Sequence, residues 1–183
     1  DLLATQCVTM DELERVNGTL PSAISHQAIC RHPWKGFYMP HPTWMGHIRW
    51  FRENPYKEPA PYCCEDQEVL LRAYTRSHYF TLPNRLLAYR VRSHAPFKRT
   101  LRTRYAMLKM QCGYFLLSRD WISFTLSIGM TFTRIIRDGL RELRYQLFPR
   151  AEACWGSRPS LEEQREWQII IQSITESSGS AVR

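Results

Sequence analysis

The chain has 183 residues, of which 44% are hydrophobic and 13% aromatic, and its formal net charge is +8. This composition is typical of a folded domain and excludes a disordered or collagen-like chain. In the C-terminal part the longest uncharged run, residues 121–133, has 13 residues, too few for a membrane-spanning helix.

The positive charge is concentrated in one segment. Residues 85–150 carry 14 Lys and Arg against 3 Asp and Glu, whereas the segments on either side are slightly acidic. A basic block of this kind suits an anionic partner such as a phosphate group, a nucleic acid or a lipid headgroup. The six cysteines lack Cys-x-x-Cys spacing, which is typical of a reduced, cytosolic chain rather than of a disulfide framework.

Short elements are predicted for the first 60 residues. They are helices over residues 11–16, 22–30 and 44–52 and a strand over residues 36–39. Chain-breaking residues end them, among them Asn17-Gly18 and Pro40.

An acidic pair, Glu65-Asp66, follows a proline-containing loop and precedes a helix predicted over residues 67–77. Carboxylates in a first helical turn face unpaired backbone N–H groups and the positive end of the helix dipole. A carboxylate at this junction can serve as a general base on a hydroxyl, or it can simply cap the helix. Two strands, over residues 80–82 and 86–91, are predicted next, separated by Pro83-Asn84.

From residue 98 onward the pattern is helical. Helices are predicted over residues 98–118, 120–148 and 160–175, followed by a disordered tail at residues 177–180. The second of these has an apolar face and a row of arginines, Arg134, Arg137, Arg141 and Arg144. It is either an ordinary amphipathic helix packed on the domain or an interfacial helix at a lipid surface.

The order of the motifs resembles the acceptor half of family 2 glycosyltransferases, which are inverting enzymes of the GT-A fold. The motifs are a His-Pro-Thr-Trp loop at residues 41–44, Glu-Asp-x-x-x-Leu-x-Arg at residues 65–72, and Leu-x-Tyr-Arg at residues 87–90. The resemblance covers roughly residues 27–95. It implies an α/β fold class, the C-terminal part of a GT-A (nucleotide-diphospho-sugar transferase) domain followed by a mainly α-helical C-terminal region.

The resemblance also implies a division of the chain. Residues 1–95 would form the acceptor-side part of the GT-A catalytic domain, and residues 96–150 a basic helical region. Residues 151–183 would supply a C-terminal helix and the disordered tail.

By the same resemblance, Asp66 deprotonates the acceptor hydroxyl. Glu65 beside it either holds an acceptor hydroxyl or acts on Asp66 by like-charge repulsion. His41, Thr43 and Trp44 lie on the loop that faces the acceptor, and Trp44 offers a flat face for a sugar. The alternative is that Trp44 belongs to an aromatic core together with Trp50.

Family members often contain Tyr-Arg-x-His, where this chain has Tyr-Arg-Val-Arg-Ser-His at residues 89–94. Either Arg90 and Arg92 contact the donor phosphates, or His94 binds the metal from a position two residues further along the chain than the family's His. A zinc site among the other His and Cys residues is disfavoured, because no standard set of four ligands is present.

No Asp-x-Asp motif and no Gly-rich phosphate loop occurs in the chain. We therefore expect that the donor-binding half is missing, together with most ligands of a divalent metal, Mg or Mn, and that the fragment is not competent alone.

The leading interpretation is the acceptor-binding and catalytic-base part of an inverting glycosyltransferase. It would move a sugar from a nucleotide-sugar donor to a saccharide or lipid-linked acceptor in polysaccharide biosynthesis. The expected location is cytoplasmic, with peripheral contact at the inner face of the cell membrane. The competing interpretation is a non-enzymatic basic helical module that binds anionic membrane or nucleic acid, nucleic acid being the less expected partner.

Overall fold

The computed structural model describes residues 1–92, 95–148 and 156–180, the last five of them by their backbone alone. Over these ranges the architecture is mixed α/β, as predicted, with one small sheet and six α-helices.

The sheet is built around its first strand, β1 (Leu2–Met10). Three further strands pair with it: β2 (Val16–Thr19), β3 (Met45–Gly46) and β4 (Tyr79–Arg90). β4 runs parallel to β1 along its whole length, so β2 and β3 share the opposite edge, antiparallel to β1 at its two ends. Most of β1 is buried, as expected for a strand covered on both faces.

The helix predicted over residues 11–16 is wrong, because this segment is the turn between β1 and β2. Oδ1 of Asp11 accepts the backbone N–H groups of Leu13 and Arg15, both at 2.9 Å. The other carboxylate oxygen pairs with the Arg15 guanidinium at 2.7 Å. A side chain that binds nearby backbone N–H groups in this way competes with helix formation.

Two strand predictions also need correction. Residues 36–39 do not join the sheet, because a side chain rather than a strand binds the backbone of Phe37. The two strands predicted on either side of Pro83-Asn84 form one strand, β4, and its register against β1 shifts beside Gln6. The proline is tolerated at this irregularity, where the regular ladder of hydrogen bonds is interrupted.

Each of the six helices overlaps a predicted one, but the first three are shorter than predicted. The six are α1 (His26–Cys30), α2 (Ile48–Glu53), α3 (Glu65–Ala73), α4 (Phe97–Leu117), α5 (Trp121–Leu147) and α6 (Leu161–Ser180). Asp120 and Ser160 cap α5 and α6 as predicted, each side chain accepting the N–H group three residues later. The helical backbone of α6 continues through residue 180, and the disorder of the tail stays a prediction.

One hydrophobic core joins the sheet to α1, α2, α3 and α4. Its buried members are Leu2, Ala4, Ile29, Phe37, Met39, Trp50, Val69, Leu70, Leu71, Ala73, Tyr79 and Phe115. Phe115 comes from α4, so this helix packs into the same core as the residues that precede it. The division at residue 95 stays a prediction.

Candidate functional site

The acidic pair begins α3, as the sequence predicts. Glu65 and Asp66 are the first two helical residues, and both are half-buried. The preceding Cys64 is buried, and its thiol donates to the carbonyl of Thr103 on α4 at 3.8 Å. Burial, followed by the negative charge of Asp66, raises the pKa of this thiol to about 12. The thiol therefore stays protonated and anchors the start of α3 against α4.

Gln67, the next residue, fastens α3 to the segment before the His-Pro-Thr-Trp loop. Its amide oxygen accepts the Phe37 N–H at 2.8 Å, and its amide nitrogen donates to the Phe37 carbonyl at 3.1 Å. The same nitrogen lies 3.3 Å from Oδ2 of Asp66. Gln67 thus positions the Asp66 carboxylate relative to this segment.

The His-Pro-Thr-Trp loop is held by its own side chains. The Thr43 hydroxyl accepts the N–H of Thr5 on β1 at 2.9 Å and donates to the Pro40 carbonyl at 2.8 Å. The Trp44 indole N–H donates to the Met39 carbonyl at 3.3 Å, and His41 is exposed against the edge of that ring. Thr43 therefore positions the loop, while the half-buried Trp44 and exposed His41 keep surface that a ligand can reach.

A chain of contacts connects this loop to the acidic pair. It runs from Asp66 through Gln67 to Phe37, and two residues later Met39 binds the Trp44 indole. Among the described residues, no hydrogen bond joins Asp66 directly to His41, Thr43 or Trp44. Trp50 is a core residue, as the alternative held, because it is buried and donates its indole N–H to Ser77 at 2.8 Å.

Tyr56 is a neighbour of the acidic pair that the sequence did not indicate. It is about half-exposed, in the loop between α2 and α3. Burial, followed by the charges of Asp66 and Glu65, raises the pKa of its phenol. The phenol of Tyr56 is therefore within range of the charge of both carboxylates.

The residues predicted to contact the donor phosphates do not lie at the His-Pro-Thr-Trp loop. Arg90 ends β4 beside Met10 and forms an ion pair with Glu14 at 2.6 Å. Met10 is five residues from Thr5 along β1, which is a distance of about 16 Å along the strand. Thr5 is the residue of β1 that binds Thr43 of the His-Pro-Thr-Trp loop. Arg92 is exposed just past β4, and His94 lies outside the described residues. The role of these residues at a phosphate stays a prediction.

No group of three or more His, Cys, Asp or Glu side chains within the described ranges is arranged to hold a metal ion. The divalent metal stays a prediction.

Comparison with protein-family models, with curated proteins and with solved structures finds no match to this chain.

Proposed function

We propose that this chain supplies the acceptor-binding and catalytic-base part of an inverting glycosyltransferase with a GT-A catalytic domain. The observation that carries the proposal is the junction of Asp66 and Gln67. A carboxylate in the first turn of α3 is held, through the next side chain, against the segment that leads to Trp44.

The environment of Asp66 suits a base. Within the described ranges no Lys or Arg forms an ion pair with it, and the side chain that hydrogen-bonds to it is the neutral amide of Gln67. Such a carboxylate keeps a lone pair for the proton of an incoming hydroxyl. By contrast Glu68, two residues later, is neutralised by Lys57 and Arg72.

In the proposed reaction the acceptor hydroxyl loses its proton to Asp66 as its oxygen attacks the anomeric carbon of the donor sugar. The bond from that carbon to the diphosphate breaks, and the electron pair leaves with the nucleoside diphosphate. Trp44 stacks on the acceptor, and His41, Glu65 and Tyr56 hydrogen-bond its hydroxyls. The donor half and its divalent metal would come from residues beyond this chain.

The test is release of nucleoside diphosphate from a panel of nucleotide-sugars, using protein that includes the donor-binding half. We expect Asp66→Asn to lower kcat at least a hundredfold, the usual size of a general-base contribution. Glu58→Gln, which removes an exposed carboxylate of the preceding loop, is the matched control and should leave kcat unchanged. Normal turnover by Asp66→Asn would overturn the proposal.

A further inference from the structure

In α5 small polar side chains face the protein, whereas most of the apolar side chains face outward. The side chains it turns toward the protein are mainly small and polar: Ser123, Ser127, Thr131 and Asp138 are all buried. Three of its apolar side chains, Phe124, Met130 and Ile135, are half-buried. The others are 40–74% exposed: Trp121, Ile122, Leu126, Ile128, Phe132, Ile136, Leu140, Leu143 and Leu147. An ordinary surface helix shows the opposite arrangement.

Beside Phe124, which packs against the core, polar contacts hold the inward side of α5. Asp138 pairs with Arg104 of α4 at 2.8 Å, and Arg134 donates to the carbonyl of Lys35 at 2.7 Å. Arg134 therefore does not belong to the outward row of arginines that the sequence indicates. Arg137, Arg141 and Arg144 are exposed.

The apolar strip continues onto the junction with α4. Leu117 at the end of α4 is 88% exposed, and Trp121 and Ile122 follow it at the start of α5. A helix of 27 residues is about 40 Å long at 1.5 Å per residue. The outward strip is thus a long, nearly continuous apolar band that ends in an exposed tip.

Positive charge outnumbers negative charge along this band. α4 contains no Asp or Glu, and the carboxylates of α5 and its cap are the buried Asp138 and the half-buried Asp120 and Glu142. The exposed basic residues of the two helices and their connection are Lys98, Arg99, Arg102, Lys109, Arg119, Arg137, Arg141 and Arg144. This combination fits a surface that is both apolar and anionic.

We propose that the outward face of α4 and α5 lies on an anionic lipid surface, with the side chains of Leu117, Trp121 and Ile122 inserted at the level of the acyl chains. None of the helices in the described ranges is long and apolar enough to cross a membrane, so the contact is in the plane of the interface. This inference does not depend on the proposed transferase function.

Charge favours lipid over a second copy of the chain. A twofold dimer would set the same patch against itself. Its arginines would then meet a face on which α4 and α5 carry no outward carboxylate to pair with them. Nucleic acid would engage the basic residues but would leave the apolar band in water.

The experiment measures partition of the intact chain onto vesicles of phosphatidylcholine with 30% phosphatidylglycerol, and onto vesicles of phosphatidylcholine alone. We expect binding to the anionic vesicles. The affinity for these vesicles should fall more than tenfold in the double variant Phe132→Ser/Leu140→Ser. It should fall about fivefold in each of the single variants Arg137→Gln and Arg144→Gln. The matched control is Leu161→Ser/Ile169→Ser, which removes two exposed apolar side chains from α6 and should bind like the wild type.

Quenching of tryptophan fluorescence by brominated acyl chains tests the orientation without altering the apolar band. We expect quenching in the wild-type chain and the loss of most of it in Trp121→Phe. Three results would each overturn the proposal: equal loss of binding in the α6 control, failure of the wild type to bind anionic vesicles, or quenching that persists in Trp121→Phe. A dimer dissociated by Phe132→Ser/Leu140→Ser, or salt-sensitive binding to duplex DNA, found without vesicle binding would assign the face to that partner instead.

Discussion

Gln67 binds both polar backbone groups of Phe37, accepting its N–H at 2.8 Å and donating to its carbonyl at 3.1 Å. Because Phe37 is buried, these groups have no easy access to water. Replacing Gln67 by Ala leaves both without this partner, which should lower the free energy of unfolding by about 2–3 kcal/mol. Urea denaturation measures the change.

Gln172→Ala on an exposed face of α6 is the control for that substitution and should change the free energy of unfolding by less than about 0.5 kcal/mol. An equal effect of the two substitutions would mean that Gln67 contributes only helix propensity. In protein that transfers sugar, Gln67→Ala should also raise the KM for the acceptor, because the loop carrying Trp44 loses its attachment to α3.

A second prediction concerns the glycine beside this contact. Gly36 has φ +85°, and a Cβ added there would lie 2.8 Å from Oε1 of Gln67 and 2.9 Å from Cε of Met107. Gly36→Ala should therefore destabilise the fold by about 1–3 kcal/mol, through backbone strain and displacement of Gln67.

Gly113 provides a comparison, because the same substitution there should raise the stability of the fold. It lies inside α4, and a Cβ there would meet nothing within 4 Å. Gly113→Ala should stabilise the fold by about 0.5–1 kcal/mol, since alanine is the better helix former. Thermal unfolding of the two variants beside the wild type measures both changes. A stabilising Gly36→Ala would contradict the close approach of this segment to α3.

The sequence predicted the helices and the start of α3 because their signals are local. Apolar spacing, the Asp120 and Ser160 caps and the acidic pair all lie within the elements they define. β1 could not be found in this way. A strand covered on both faces shows no alternation, and the polar Thr5 and Thr9 interrupt its apolar run.

The residues of the candidate site likewise differ in whether a local sequence signal indicates them. Asp66 follows from a local motif, whereas the proximity of Tyr56 depends on the path of the loop between α2 and α3. The outward face of α5 is likewise a tertiary property. Apolar spacing identified an amphipathic helix, but only the packing of Ser123 and Ser127 against the protein reveals which face is left outside.

Glu68 gives a prediction about pH. Its side chain is buried, with Lys57 at 2.9 Å and Arg72 at 3.1 Å. Burial raises the pKa of this carboxyl, but the hydrogen bonds and charges of Arg72 and Lys57 outweigh it, so the pKa lies below its ordinary value of 4.5. A carboxyl whose pKa is lowered by folding stabilises the protein above its unfolded pKa. That contribution disappears as the pH falls through the folded pKa.

At pH 7, Glu68→Gln should therefore lower the free energy of unfolding by about 2 kcal/mol. The difference from the wild type should shrink as the pH is lowered from about 4.5 toward 2. Glu53→Gln is the control, because its ion pair with Arg49 is exposed and should make no measurable contribution to the free energy of unfolding at any pH. Denaturant titrations from pH 2 to 7 would show the convergence. A constant gap would exclude ionisation of Glu68 as its source.

The adjacent thiols Cys63 and Cys64 should react at very different rates. Cys63 is exposed, whereas Cys64 is buried and its raised pKa of about 12 leaves almost no thiolate at neutral pH. The thiolate is the reactive form, and labelling of Cys64 also requires α3 to separate from Thr103 of α4. We expect N-ethylmaleimide at pH 7.5 to modify Cys63 at least a hundredfold faster, as followed by peptide mass spectrometry. Denaturant should equalise the two rates, and Cys63→Ser should leave Cys64 protected. Rapid modification of Cys64 in the folded chain would contradict the contact between α3 and α4 that holds the acidic pair in place.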